Sequence, residues 1–527
     1  MPDSPDIDVL IVGSGPVGST FARVIADELP WTRILMVDAG PQISHPPGSH
    51  VNNIPDQAER AAAQAASQGP HPFPYPVLSM ARRLGLGVAG GVPDPLLAGT
   101  HRVADPAQSS LVEGMAGAAM STNVGGMGAH WACGCPRPGD GERIVFIDPP
   151  MWELALTRAE QLLHVTRNAF DDSHFVTRVT RLVGNYLNAG RPPERRVQPT
   201  PLALSVGQDG AVRWCGPDMI LGDLVQPATP TSFELRAQTL CRRVLMDGST
   251  ARGAELEHLP TGRRRTVTAR AVVVAADSLR TPQLLYTSGV RPQALGRHLN
   301  DHPMVITAVR LHPGLAAELG STTAGTSAQD SALVPLVWVP YSDTHPFSGQ
   351  IMYIGQIPAT ATGTSQKPPG EFAGLSWSCP KQLRAEDRIT FSDSRRDALG
   401  MPAMQLHYGL SNADQTTIAV AKKEASHVAA LLGTPISTDL PALLPAGSSL
   451  HYQGTVRMGA TDDNTTVCDS SSRVWGTTNL YVGGNGVIPT TTACNPTLTS
   501  VALAVLAARA LVRRHLHREV PPLCGSC

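Results

Sequence analysis

At 527 residues, with 42% hydrophobic and 16% charged side chains, the chain is too apolar to be disordered and long enough for about three ordinary cores. It carries 42 Lys and Arg against 43 Asp and Glu, a net charge of −1, and no run of like charge reaches five residues, so the electrostatic footprint of a nucleic-acid binder is absent. The 49 glycines and 46 prolines point to many turns and long loops, and nine cysteines, an odd number over so long a chain, do not read as a disulfide framework.

The first residues, Met1-Pro2-Asp3-Ser4-Pro5-Asp6, are acidic and pass straight into a strand, which leads us to expect no secretory leader. Asp8-Val9-Leu10-Ile11-Val12 is a continuous apolar run of strand length, followed at once by Gly13-Ser14-Gly15-Pro16-Val17-Gly18. Phe21, Val24, Ile25 and Leu29 then recur at helical spacing, and a second apolar run, Ile34-Leu35-Met36-Val37, ends in Asp38. Strand, glycine turn, helix, strand and acid in this order are the pattern of a dinucleotide-binding unit. Gly13 permits the tight turn, Gly15 lets a pyrophosphate approach the backbone, and Gly18 allows close packing of the helix. The helix start offers free N–H groups and a partial positive charge to the phosphates. Asp38 sits where a carboxylate would accept the ribose hydroxyls.

From residue 41 to about 110 the periodicity dissolves into Ala/Gln-rich, Pro/aromatic and glycine-rich stretches. We expect 43–110 to be a mobile insertion or lid over a site, with a surface insert of no role as the alternative. The middle, 150–210 and 312–442, mixes short alternating strands with helices such as 413–432 and reads as a separate α+β lobe with a mixed or antiparallel sheet. Ala271-Val272-Val273-Val274-Ala275-Ala276 is a buried parallel strand by its continuous apolar run, and a helix is expected over 278–288. Asn479-Leu480-Tyr481-Val482-Gly483-Gly484 is a further short strand, and 497–514 reads as an amphipathic helix. The longest apolar stretch, 501–512, is interrupted by Arg509 and too short for a bilayer, so no membrane partner and a cytoplasmic location are expected. The fold class is α/β. A discontinuous Rossmann-like dinucleotide-binding domain takes 1–42, 111–149, 211–311 and 443–527, and a substrate-binding domain takes 150–210 and 312–442.

Several motifs together carry a family resemblance. They are the glycine turn with Asp38, Asn123-Val124-Gly125-Gly126-Met127-Gly128-Ala129-His130-Trp131, Phe391-Ser392-Asp393, and His451-Tyr452-Gln453-Gly454-Thr455-Val456-Arg457-Met458-Gly459. Ser472-Arg473-Val474-Trp475-Gly476 and Asn495-Pro496-Thr497-Leu498-Thr499 complete the set. The chain resembles the glucose–methanol–choline (GMC) flavin oxidoreductases, within them the pyranose oxidase and glycoside 3-oxidase branch. The likeness covers both ends; the lobe and the insertion match poorly.

The resemblance implies FAD as the dinucleotide, held by Gly13, Gly15, Gly18, Asp38, Asn123, Gly126, Met127 and the segment His130, Trp131, Ala132. Cys241, Ala276, Gly484, Asn485, Pro496 and Thr497 complete the implied cofactor set. The helix that opens at Asn495-Pro496-Thr497 would set its positive end against the negative charge of a reduced flavin. In the fungal pyranose oxidases the histidine matching His130 is bonded covalently to the flavin. Here Gly128-Ala129 replaces the usual Ser-Thr, and Ala132 replaces a threonine that contacts the flavin, so covalent attachment at His130 stays an open alternative.

The implied chemistry is removal of a hydroxyl proton and transfer of a hydride to the flavin. Histidine suits the first task because its ordinary pKa, about 6.5, lies near working pH. Among 17 histidines, the resemblance singles out His451 as base, with Asn495 bonding the same substrate oxygen. A second histidine common in this block is replaced by Val456, leaving His451 the only imidazole of the motif. Gln350 matches the glutamine of the family's substrate loop, but Met352-Tyr353-Ile354-Gly355 stands where acidic and aromatic residues are usual. The expected substrate is therefore a pyranose sugar or a glycoside with a large aglycone, oxidised at C2 or C3, with O2 or a quinone reoxidising the flavin. Oxidation of a sterol or aryl alcohol, and a flavin-carrying binding protein without turnover, are the alternatives. Cys133-Gly134-Cys135 and Cys524-Gly525-Ser526-Cys527 could together offer four thiolates to zinc, but neither has a matching CxxC partner at normal spacing, so ordinary buried or terminal cysteines are the reading, no metal is expected, and homo-oligomerisation is left open.

Overall fold

The computed structural model describes residues 6–69, 71–74, 96–104, 111–207, 210–226, 232–320, 333–355 and 371–516. The strand Ile7–Val12 is buried over its last four residues. It lies between two parallel neighbours, Ile34–Val37 on one side and the end of Arg263–Val274 on the other. Pro16 sits at the start of the helix Pro16–Glu28, where its missing N–H costs nothing and its fixed φ suits the first turn.

The strand Arg263–Val274 changes character along its length. Its first four residues are exposed, the next four alternate buried and exposed, and 263–268 pair antiparallel with Thr250–His258, whereas its last four residues are all buried and pair parallel with Ile7–Val12 and Leu480–Val482. Alternation marks a sheet with one wet face, and a continuous apolar run marks one covered on both faces. The strands Phe233–Arg236 and Thr239–Asp247 complete this seven-stranded sheet, so its last member stands hundreds of residues from its first. The helix Thr497–Leu511 is not amphipathic as expected. Nearly all of it is buried, because it packs against both Pro16–Glu28 and Pro149–Leu162, and Arg509, paired with Glu28, is its one exposed side chain.

A second seven-stranded sheet is antiparallel throughout, built around Met304–Leu311, Phe372–Ser378, Ser348–Gly355 and Leu336–Val339. The helix Asn412–Leu432, capped by a reciprocal Ser411–Asp414 pair, buries Ile418, Ala425 and Val428 against one face of it, over Val305, Val309 and Trp377. The other face is free to line a cavity. Two expected boundaries move. Met304–Leu311, assigned by sequence to the first unit, is central to the second sheet, and Pro149–Leu162, expected in the second, packs into the first core through Trp152, Leu156 and Ala159.

The described part of 43–110 is not structureless. The helix Gln57–Ala66 is capped by Asp56, whose carboxylate accepts the Glu59 N–H at 2.8 Å. Its alanines favour a helix without an apolar stripe, which is why periodicity did not reveal it. Pro72–Pro74 pairs with Leu96–Arg102, and that strand with Ala119–Met120, tying the segment to the body. Residues 75–95 and 105–110, and the Cys524–Cys527 motif, lie outside the described residues. Among the described residues no helix is long and apolar enough to cross a membrane.

Candidate active site

One cavity of about 890 Å³ runs from the glycine turn to the free face of the antiparallel sheet. Every site residue named from the sequence lines it except Gly18: Gly13, Gly15, Asp38, Asn123, Gly126, Met127, His130, Trp131, Ala132, Cys241, Ala276, Gly484, Asn485, Pro496 and Thr497 along its length, and Gln350, His451 and Asn495 at one end. Gly18 acts one step back, since a Cβ there would stand 2.0 Å from the Gly13 carbonyl oxygen.

The glycines of the turn differ in what they need. Gly13 has φ +102° and a Cβ on it would meet the Ala275 carbonyl at 2.3 Å, so the protein itself demands glycine. Gly15 has an ordinary φ of −64°, and a Cβ there would find no protein atom nearer than 3.8 Å. The space kept clear at Gly15 is cavity space, the cradle expected of a pyrophosphate site at a helix start. Asp38 anchors the turn as well as facing the cavity: one carboxylate oxygen accepts from the Ser14 N–H and hydroxyl at 3.1 and 2.6 Å, the other from Gly40 N–H at 2.8 Å. Lone-pair capacity remains for a ribose hydroxyl.

His130 fits a cofactor in a different way. Both of its ring nitrogens are buried and neither has a hydrogen-bond partner among the described residues. Burial pushes its pKa down to about 4, and neighbouring His50 adds to the shift. A buried nitrogen without a partner is rare enough to indicate a missing ligand atom. Gly99, at φ +75°, lies directly against the ring, and His50 donates through Nε2 to the Trp131 carbonyl at 2.9 Å, so the 43–110 segment helps build this wall. Cys241 is an inert thiol, pushed up to about 12 by burial.

At the other end three side chains converge. Nε2 of His451 lies 3.4 Å from Nδ2 of Asn495, and Nε2 of Gln350 donates to Oδ1 of Asn495 at 3.3 Å. Burial pushes His451 down to about 4, so its imidazole is neutral at pH 7 and able to accept a proton.

Four residues that sequence reasoning missed hold this trio. The buried carboxylate of Glu142 accepts the N–H groups of Ala493 and Cys494 at 2.6 and 3.0 Å, clamping the loop that delivers Asn495. The buried Asp301 accepts from the N–H groups of Gly447 and His451 and from the Ser449 hydroxyl, clamping the loop that delivers His451. His302 stands with Nδ1 3.0 Å from Nδ1 of His451, and Gln453 closes on the far side of His302. His451 is therefore the only imidazole of its motif but not of its site. The one available signal was the polar run Asn300-Asp301-His302 breaking into an apolar stretch.

The sheet face above the trio is graded. Gln350 and Ser376 pair across two strands next to Asn495, and beyond them come Met352, Ile354, Ile306, Ile436 and Leu440. Met352 and Ile354 are 38% and 44% exposed, large apolar side chains left open at the cavity. Among the described residues no group of three His, Cys, Asp or Glu is placed to hold a metal ion.

The comparisons with known proteins agree with this geometry. Residues 219–304 and 384–504 match the two models of the GMC oxidoreductase family. The C-glycoside 3-oxidase of Microbacterium trichothecenolyticum is 45% identical over 508 residues, covering 95% of this chain and 96% of that protein. The pyranose 2-oxidase of Tricholoma matsutake is 31% identical over 559 residues, covering 96% and 93%. The formate oxidase of Aspergillus oryzae shares the fold, with a TM-score of 0.65 at 13% identity over 97% of this chain and 99% of that one. The chain belongs to the GMC oxidoreductase family: it is an FAD-dependent enzyme acting on CH–OH groups.

Proposed function

We propose that this GMC oxidoreductase oxidises a secondary hydroxyl, at C2 or C3, of a pyranose sugar or glycoside to the ketone. The observation that carries the reading is the meeting of His451, Asn495 and Gln350 at one end of a cavity whose other end is a glycine turn. The names of the relatives at 45% and 31% identity support it.

Asn495 donates to the substrate oxygen and turns its hydroxyl toward His451. Nε2 of His451 accepts the hydroxyl proton as the carbon loses its hydrogen, a role that needs the neutral imidazole that burial maintains. Gln350, already bonded to Asn495, reaches a neighbouring ring hydroxyl and fixes which carbon is presented. The glycine turn, Asp38, His130 and the helix start at Thr497 are the residues that would hold FAD, which when bound would supply the two-electron acceptor for that hydrogen, with O2 or a quinone as the final oxidant.

Within this reading a glycoside with a bulky apolar aglycone fits better than a free sugar. The apolar part of the sheet face, Met352, Ile354, Ile306 and Ile436, has nothing to offer ring hydroxyls and suits an aglycone. The seven described cysteines are unpaired and buried, which supports a reducing, cytoplasmic compartment. The test is anaerobic mixing of the FAD-loaded protein with free sugars, O-glycosides and C-glycosides, following loss of flavin absorbance and identifying the keto product. Bleaching by sterols or aryl alcohols and by no carbohydrate would overturn the proposal.

A further inference from the structure

We propose that His302 and Gln453 are positioning residues that set the tautomer of His451, and so decide whether its Nε2 is a base. The inference rests on the reading of His451 as the base.

The backbone brings the pair together. Asn300 and Gln453 exchange both main-chain hydrogen bonds, N–H to O, at 3.0 and 2.9 Å. In an antiparallel pair the residues two places further along also face each other, which sets His302 opposite His451. Their rings meet edge-on, centroids 4.9 Å apart, with Nδ1 facing Nδ1 at 3.0 Å. His302 is buried and His451 partly so, and burial holds both below the ordinary imidazole pKa. The charged groups packed nearby are engaged elsewhere: Asp301 with the 447–451 backbone and the Ser449 hydroxyl, Lys381 with Asp387. Tyr408 donates its hydroxyl to the Asp301 carbonyl. Two neutral imidazoles therefore share one contact.

A neutral imidazole has one N–H and one lone pair. Across the contact one Nδ1 must donate and the other accept. If His302 donates, His451 keeps its proton on Nε2, facing Asn495, and cannot take another there. If His451 donates, its Nε2 is free, and His302 must carry its own proton on Nε2. That nitrogen faces Gln453 Nε2 at 3.0 Å and the Thr492 hydroxyl at 3.1 Å. With the amide nitrogen toward His302 the first arrangement follows, and a half-turn of the carboxamide, putting its oxygen there, gives the second. Thr492 sits 2.9 Å from one end of the carboxamide and 3.1 Å from the other, and its hydroxyl can donate or accept, so it serves both. The productive enzyme has the Gln453 oxygen toward His302.

The experiment reads tautomers directly. In holoenzyme labelled with 15N-histidine, His451 should show a protonated Nδ1 and a lone-pair Nε2, and His302 a protonated Nε2. The signals are assigned by their loss in His451→Ala and His302→Asn. Gln453→Glu, which can only accept, should keep these tautomers and hold the anaerobic flavin-reduction rate within about threefold. It should also move the acid limb of that rate to higher pH, because a carboxylate at His302 favours the charged pair. Gln453→Leu should populate the Nε2–H form of His451 and slow maximal reduction by roughly tenfold or more, with half-saturation by substrate little changed. A proton on His451 Nε2 in the active unmodified holoenzyme overturns the inference, whether or not either variant folds. So does a Gln453→Leu enzyme that reduces at the unmodified rate. If His451→Ala itself keeps the rate, it is the base assignment that fails; if it loses the rate while Gln453→Leu does not, only the tautomer control fails.

Discussion

His451 and Asn495 are 44 positions apart in the chain, yet Nε2 of the one lies 3.4 Å from Nδ2 of the other. Two buried carboxylates make this possible, Asp301 gripping the loop before His451 and Glu142 the loop before Asn495. Each accepts several backbone N–H groups that would otherwise be buried without a partner, a loss of about 1–3 kcal/mol apiece. Precision at the reacting atoms thus rests on acids that never touch them.

Replacing His451 by Ala should leave FAD bound and cost roughly 100- to 10,000-fold in the rate of flavin reduction by sugar. Asn495→Ala should slow it by less, about tenfold, since one hydrogen bond to the reacting oxygen is lost while the base stays. The unmodified enzyme should lose rate toward acid pH as His451 takes up a proton, with a midpoint below the usual imidazole value because burial holds it near 4. Stopped-flow reduction across pH checks all three, and an acid limb that survives in His451→Ala places the base elsewhere.

What was legible in the sequence followed from burial on both faces. Val9 to Val12 and Ala271 to Val274 are continuous apolar runs and pair directly with each other. The same strand's outer half, Arg263 to Thr268, is polar except for Val267 and looks like surface, so nothing in the sequence signals its hairpin with Thr250–His258. Motif residues such as His451 were found because neighbours in sequence identify them. His302 was not, because its partnership comes from a backbone bridge between Asn300 and Gln453, and no local pattern records which distant strand a residue will face.

Gly15→Val should fold and fail to bind FAD. The backbone at Gly15 is one any residue adopts, and the protein leaves room for a side chain, so only the dinucleotide is displaced. Gly13→Val should instead yield little folded protein, because both its φ of +102° and the Ala275 carbonyl forbid a Cβ. Flavin content and thermal melting of the two purified variants separate these outcomes. Full FAD occupancy in Gly15→Val would remove the glycine turn from the cofactor site.

Among the described residues neither buried nitrogen of His130 has a partner, and either a hydrogen bond or a covalent bond to the flavin would satisfy one of them. If the bond is covalent, acid-precipitated protein stays yellow and His130→Ala releases its flavin on precipitation. A colourless pellet from the unmodified protein limits His130 to a non-covalent contact. His130→Ala should in either case weaken flavin retention, measured by dialysis against buffer without FAD.

The segment that covers this wall should be acid-labile, with a sign fixed by His101. That imidazole is 3% exposed; its Nε2 lies 2.8 Å from the Thr122 hydroxyl and its Nδ1 3.1 Å from the Arg102 carbonyl, and burial first, then Arg280, hold its pKa at about 4. In the folded protein it therefore stays neutral between pH 6.5 and about 4, while the unfolded chain takes up a proton over the same window. The unfolded state binds more protons there, so this group's contribution to stability rises with pH and is lost as pH falls from 6.5 toward 4, by up to about 3 kcal/mol. His101→Gln keeps a donor and an acceptor but cannot titrate. It should be less stable than the unmodified protein at pH 7, and the gap should close as pH falls, since only the unmodified chain pays for keeping an imidazole neutral. Thermal melts of both proteins from pH 7 to pH 4 measure the gap; parallel curves would mean that His101 is protonated in the fold, and that the strand Leu96–Arg102 does not seal it from water.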